Sequence, residues 1–313
     1  MRFFSLLMGV ALSTAVSAQT FPSKTIRLVS GVTPGSASDT MARILAEKLS
    51  ATLGHSVIVE NRLGAGGLVG AKYVATSEPD GHTIMMYASA FTVATLLNPG
   101  LDPKELQPVA SVATIPTVMI TPPGKYKSAT DFVAAAKAQP GKLVCATAGI
   151  GSATHMALER FRFAAGIEVL NVHTKGAGEA LTEVISGRSD CYFALVFQAQ
   201  KMRDAGKVSA FLVSAPKRTA LMPELPTTVE AGYPNSDYNF WVGALVPAKT
   251  PRLVVERLHR EITALVQSPE VSGQIRKLGA DPLPMSIADF EAMIAKELVE
   301  NAELIKRANI TTN

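Results

Sequence analysis

Gly35-Ser36-Ala37-Ser38-Asp39 stands between an apolar run, Ile26-Arg27-Leu28-Val29, and a helical pattern that begins near Thr40. Nearly the same wording returns 116 positions later. There Gly151-Ser152-Ala153-Thr154-His155 follows Leu143-Val144-Cys145-Ala146 and precedes a second helical pattern. Gly64-Ala65-Gly66 comes after the strand-like Val57-Ile58-Val59, as Gly176-Ala177-Gly178 comes after Val169-Leu170-Asn171-Val172. The order strand, Gly-Ser turn, helix, strand, Gly-Ala-Gly turn, helix is therefore written twice. Such alternation predicts α/β units built on a parallel sheet.

A Gly-Ser turn that opens a helix leaves several backbone N–H groups unpaired and pointing one way. The helix dipole adds partial positive charge at that end. Carboxylates and other anions bind at such a place. Ordinary capping by Ser and Asp accounts equally for either turn alone. The doubling favours a different use: one turn per lobe, facing each other, gripping a small acid from both ends.

Residues 1–18 read as a secretory leader. Arg2 supplies the positive start, residues 3–16 are mostly apolar, and Val16-Ser17-Ala18 offers a small-x-small cleavage site before Gln19. The apolar run is short for a membrane span, and no later segment offers ~18 uncharged apolar residues. About 295 residues then remain, which favours two domains over one. A hydrophobic content of 47% against 18% charged residues describes a filled core rather than a disordered chain. The formal charge of +4 is mild. Its Lys and Arg are scattered, with no basic run interleaved with aromatics, which argues against nucleic acid. Cys145 and Cys191 each lie in a run that reads as a buried strand. In an oxidising compartment they can pair, or they can stand apart as small hydrophobes.

Strands are expected at 24–29, 56–60 and 83–88, and again at 143–147, 169–173, 191–196 and 208–214. The run 109–120, interrupted by Pro116, is the expected crossing between lobes, and 240–246 the return. Thr250-Pro251 is expected to cap a helix whose apolar face carries Leu253, Val254, Leu258, Ile262, Leu265 and Val266. Trp241 on the return crossing either lines the cleft or packs beneath it.

Tests for chemistry are mostly negative. Gly64-Ala65-Gly66-Gly67-Leu68-Val69-Gly70 misses the dinucleotide pattern, because Val69 stands where glycine is needed. No phosphate-loop or G-x-S-x-G elbow occurs. The five histidines, His55, His82, His155, His173 and His259, form no close ligand pair, so neither a metal nor a cofactor is expected. Ser152 has His155 three residues on, but a nucleophile needs a base that reaches it in space. An exported hydrolase using Ser152 is the alternative this leaves.

Taken together, the motifs resemble the Bug family, the extracytoplasmic solute-binding proteins of tripartite tricarboxylate transporters. The resemblance rests on Phe21-Pro22-Ser23-Lys24, Pro34-Gly35 with Asp39, Glu60-Asn61-Arg62 with Gly64-Ala65-Gly66-Gly67, and Pro79-Asp80-Gly81. It continues through Ala148-Gly149-Ile150-Gly151-Ser152 with Thr154-His155, Lys175-Gly176, Asp190, and Pro226-Thr227 with Glu230-Ala231-Gly232. It covers essentially the whole chain after the leader. It implies a periplasmic, non-catalytic, two-lobed protein of the type II venus-flytrap fold, with two strand crossings between lobes. Lobe one is expected at 19–120 plus 243–313 and lobe two at 121–242.

The ligand implied is a small mono- or dicarboxylate. The partners implied are integral-membrane transporter subunits, or a receptor if the protein serves sensing, and the protein itself is expected to be a monomer. Its cradle falls on Gly35, Ser36, Ala37, Ser38 and Asp39 in one lobe and on Gly149, Gly151, Ser152, Ala153, Thr154 and His155 in the other. Ala65 and Gly66 close one side and Lys175 the other. Ser89, His173 and Asp190 complete the expected set. The family usually has glycine where this chain has Ser36, and tyrosine where it has Thr174. Both differences touch the pocket wall.

Overall fold

The computed structural model describes residues 21–32, 34–238 and 240–311. The expected leader lies outside them. The first half of the repeat folds as β1 (Ile26–Ser30), α1 (Ala37–Leu53), β2 (Val57–Asn61), a 3-10 turn at Ala65–Gly67, α2 (Leu68–Ala75), β3 (Thr83–Ala88) and α3 (Ala90–Leu97). β4 (Leu106–Thr114) and β5 (Thr117–Thr121) follow, then α4 (Ala129–Ala138). The second half is β6 (Val144–Thr147), α5 (Ala153–Ala165), β7 (Leu170–His173), α6 (Ala177–Ile185), β8 (Cys191–Leu195) and α7 (Val196–Asp204). The chain closes with β9 (Ser209–Ser214), β10 (Trp241–Pro247), α8 (Arg252–Gln267), α9 (Pro269–Lys277), β11 (Asp281–Pro282) and α10 (Ile287–Ala308).

Two sheets result, in the orders β11-β4-β10-β3-β1-β2 and β7-β6-β8-β5-β9. In each, the central strand of the repeat pairs in parallel with the other two: β1 with β2 and β3, β6 with β7 and β8. The sheets are mixed rather than purely parallel. β10 runs antiparallel to β3 and β4, and β5 runs antiparallel to β8 and β9. The reason is the crossings: a strand that arrives from the other lobe enters at the edge where the parallel strands end.

Side chains alternate across each sheet, as strands require. Leu28 and Met86 face a cluster completed by α1, α8 and α9, whereas Val29 and Met85 face α2 and Tyr87. The second sheet is covered by α4 and α5 on one face and by α6 and α7 on the other. Both sheets thus have helices on two faces, as α/β lobes do. Gly54 ends α1 in the left-handed conformation at φ 68, which glycine adopts without a steric penalty. Two helix details differ from expectation. Pro251 itself is the N-cap of α8, and Thr250 does not cap it. Leu253 is 80% exposed, and the buried stripe is Val255, Leu258, Ile262 and Val266.

The crossings fix how the lobes meet. Thr114 ends β4 in one sheet and Thr117 begins β5 in the other, so only Ile115 and Pro116 lie between. The return enters the first sheet at Trp241, the partner of Thr114. The expected boundaries at 120/121 and 242/243 therefore fall within β5 and β10. Thr114 and Trp241 lie at the edge where β3 ends, beside Ala88. Thr117 pairs with Leu195, the last residue of β8. Both crossings thus join the two edges at which the parallel strands terminate.

Helix α10 packs on both sheets' helices. Phe290 lies against Gly243, and Phe290 and Ile294 pack with Trp241 in one lobe. Leu304, Ile305, Ala308 and Ile310 pack on the α4–α5 cluster of the other. Arg160 on α5 reaches Glu300 at 3.1 Å and Asn301 at 3.3 Å, while Asn301 Nδ2 donates to Thr92 Oγ1 on α3 at 2.8 Å.

Candidate functional site

The two Gly-Ser turns repeat each other in backbone angle. Ser36 and Ser152, the N-caps of α1 and α5, have φ/ψ of −66/163 and −67/160. The glycines before them are left-handed, Gly35 at φ 81 and Gly151 at φ 72. Their hydrogen bonds repeat as well. Ser36 Oγ accepts from Asp39 N–H at 3.3 Å, and Asp39 Oδ2 accepts from Gly35 N–H at 2.9 Å. Ser152 Oγ accepts from His155 N–H at 3.3 Å, and His155 Nδ1 accepts from Gly151 N–H at 3.1 Å. The same reciprocal cap starts α4, where Ser128 accepts from Asp131 N–H and Asp131 from Lys127 N–H. It is a helix-start device first.

This corrects one expectation. The N–H groups of Gly35 and Gly151 are engaged by the side chains four residues on, and Ser152 N–H donates to Gly149 O at 3.2 Å. Ser38 N–H in the first loop, and Ala153 and Thr154 N–H in the second, find no acceptor among the described residues. A helix start with free N–H groups suits an oxyanion.

The side chains behind the loops are buried and differ in charge. Asp39 is fully buried. Burial pushes its carboxyl up, but bonds from Arg43 at 2.9 Å, Asn61 at 2.6 Å and Gly35 outweigh this and hold it below the usual range. Its charge is thus balanced from the side. His155 is pushed down to about 3, mainly by burial, with His173 and Arg162 adding to it. It is neutral, and because Gly151 donates to Nδ1 the ring proton sits on Nε2, 3.8 Å from Glu159 Oε1. His173 stands edge-on to it at 4.6 Å and bonds Thr147 Oγ1 at 2.7 Å through Nδ1. Burial lowers His173 too.

Between the lobes lies a cavity of about 450 Å3. Ala65 and Gly66 close one end, and Ile150, Gly151 and Ser152 of the other lobe form the opposite side. The long wall is α3, which presents Ala90, Val93, Ala94 and Leu97, with Asn98 at its end.

Residues 41–310 match the family described as TctC, the tripartite tricarboxylate transporter family receptors. The chain belongs to this family. Its relatives include BugT of Bordetella pertussis, 30% identical over 311 residues that span 96% of this chain and 95% of BugT. Among solved structures, R. palustris Rpa4515 with adipate is 27% identical at a TM-score of 0.80, covering 93% of this chain and 99% of that one. MatC from Rhodopseudomonas palustris with bound malate is 27% identical at a TM-score of 0.76, covering 91% and 100%. The Bug resemblance and the two-lobed fold read from the sequence both stand.

For a TctC-family receptor the expected residues now sort by position. Ala65, Gly66, Gly151 and Ser152 line this cavity. Gly35–Asp39 and the rest of Gly149–His155, Ile150 apart, do not line it. Lys175 is exposed after β7, and its N–H donates to Glu179 at 2.9 Å. Two of the expected residues stand apart from the cavity. Ser89 is fully buried, and its hydroxyl meets Tyr238 Oη at 3.0 Å. Asp190 precedes β8, at the opposite edge of its sheet. There it accepts from Val144 N–H at 2.8 Å and Tyr126 Oη at 2.9 Å and pairs with Lys125. The length of β8 separates it from the edge at which the crossing strands enter.

Cys145 and Cys191 are bridged; they are register partners on β6 and β8, with Cα atoms 4.6 Å apart. Trp241 packs beneath, fully buried, donating to Glu297 Oε2 at 2.5 Å. The α3 wall was missed in the sequence, although Ala90, Val93, Ala94 and Leu97 keep helical spacing between Ser89 and Pro99. Among the described residues no group of His, Cys, Asp or Glu could hold a metal ion, and no helix is long and apolar enough to cross a membrane.

Proposed function

We propose that this chain is exported on residues 1–18 and, as a periplasmic monomer, captures a small mono- or dicarboxylate between its lobes. It then delivers that acid to the membrane subunits of a tripartite tricarboxylate-type transporter. One observation carries the reading. The same helix start recurs in each lobe, on the two edges that the crossings join, with free first-turn N–H groups and with a cavity between the lobes. N–H groups aimed at a carboxylate make charge-assisted bonds, which are among the stronger ones. A ligand that touches both lobes only when they are closed favours the closed state by that difference. Adipate and malate, present in the structures of two relatives, agree with the class.

Calorimetric titration of the leader-free protein with a panel of mono- and dicarboxylates tests this. Saturable heat from at least one acid is expected; silence from the whole panel would falsify the reading. The hydrolase alternative finds little support, since the His155 Nδ1 that would serve as base is bonded to Gly151. A Ser152→Ala variant is expected to leave no turnover to lose. Capture of the transporter's membrane subunits by the loaded protein, rather than of a receptor, tests the partner.

A further inference from the structure

The cavity wall carries no ionisable side chain. Of its ten lining residues, Ala65, Ala90, Val93, Ala94, Leu97 and Ile150 are apolar, and Gly66 and Gly151 offer backbone only. The two polar ones are each partly engaged within the protein. Asn98 Nδ2 donates to Ala94 O at 3.1 Å, and Ser152 Oγ meets Thr154 Oγ1 at 3.0 Å while accepting from His155 N–H. Even the Gly66 carbonyl accepts from Tyr87 Oη at 2.7 Å. The helix stripe at i, i+3, i+4 and i+7 thus presents methyl and isobutyl groups to whatever lies in the cavity.

We infer that the acid carried has an apolar body, an alkyl chain or an aryl ring, laid along α3 and bearing no hydroxyls. The inference rests on the carboxylate-capture reading and narrows it. Carbon surface placed against α3 gains from leaving water. A hydroxyl placed against Ala90, Val93, Ala94 and Leu97 loses its water partners and finds no polar side chain there. An unsatisfied buried polar group weakens binding by about tenfold or more.

Matched pairs of acids test this on the leader-free protein: adipate against galactarate, succinate against tartrate, phenylacetate against mandelate. The expected result is that the hydroxyl-free member of every pair that binds does so about tenfold tighter or better. Ala94→Ser places a hydroxyl on the wall and should narrow that ratio several-fold, with its thermal midpoint reporting that the fold is intact. If the hydroxylated members bind as tightly or tighter, the apolar-body inference falls while carboxylate capture stands. If none of the six acids binds, both fall together.

Discussion

The Gly151 backbone lies against Val93, so close that a Cβ added to it would stand 3.0 Å from Val93 Cγ1. One residue belongs to the second lobe's turn and the other to the first lobe's helix. Gly35 has a similar positive φ but open space around its Cβ position. Alanine at either site meets the left-handed penalty of ~1–2 kcal/mol. Only Gly151→Ala also wedges the lobes apart. Denaturant melts should therefore show similar losses for the two variants, while calorimetry shows ligand affinity falling about tenfold more for Gly151→Ala. Equal affinity losses would contradict the contact's role in closure.

The bridge between Cys145 and Cys191 closes a loop of 46 residues across neighbouring strands. On the loop-entropy account such a closure stabilises by up to about 4 kcal/mol. The double alanine variant should lose a large part of that in urea unfolding, and the native protein should lose a similar amount under reductant. A loss under ~1 kcal/mol would mean that the reduced chain is already held together there.

Ser89 Oγ and Tyr238 Oη bond inside the interlobe seam, with both side chains buried. Removing one partner strands the other, at ~1–3 kcal/mol. Ser89→Ala and Tyr238→Phe should each destabilise by that order. The double variant should lose less than the sum, because no orphan hydroxyl is left. Additive losses in the double-mutant cycle would show that the pair is not coupled.

Burial raises the Glu297 carboxyl to about 7, against weaker opposing pulls from the Trp241 bond and the Arg160 charge. An ordinary glutamate titrates near 4.5. Between those values the folded protein keeps a proton that the unfolded chain has released. Glu297's contribution is therefore full below about 4.5 and is lost as pH rises through about 7. Glu297→Gln still accepts from Trp241 but does not titrate. The stability of the native protein relative to this variant should drop by a few kcal/mol between pH 4.5 and 8. A pH-independent difference would place the carboxyl's titration in the ordinary range.

Much of the architecture was legible because the repeat is written in local signals. Strand, glycine turn, Ser cap and helix recur with their spacing kept, and local signals survive whatever the tertiary context. Crossing positions were legible to within a few residues from Pro116 and the apolar run around Trp241. The site was legible in part. Gly151, Ser152, Ala65 and Gly66 could be placed because turns after parallel strands collect at one edge. Asp190 and Ser89 show why position is hard to read from sequence: a polar residue beside a strand end reads alike whether it faces solvent, a cleft or a buried partner. The disulfide needed a Cα separation that only the pairing of β6 with β8 supplies. Of the apolar stripe of α3, only Val93 is buried, among second-lobe residues, while Ala90, Ala94 and Leu97 are partly exposed.

Helix α10 spans 22 residues, about 33 Å, and is fastened near its start to Phe290's seat on Gly243 and near its end to α5. Any swing of the lobes about Ile115-Pro116 must drag this rod or tear Arg160 from Glu300. How far the jaws gape is thus governed by a leash that runs behind α3 and touches it at Thr92. Lengthening or severing that leash would alter the resting aperture, and with it the rate at which ligand enters and leaves, without touching a single residue of the binding wall.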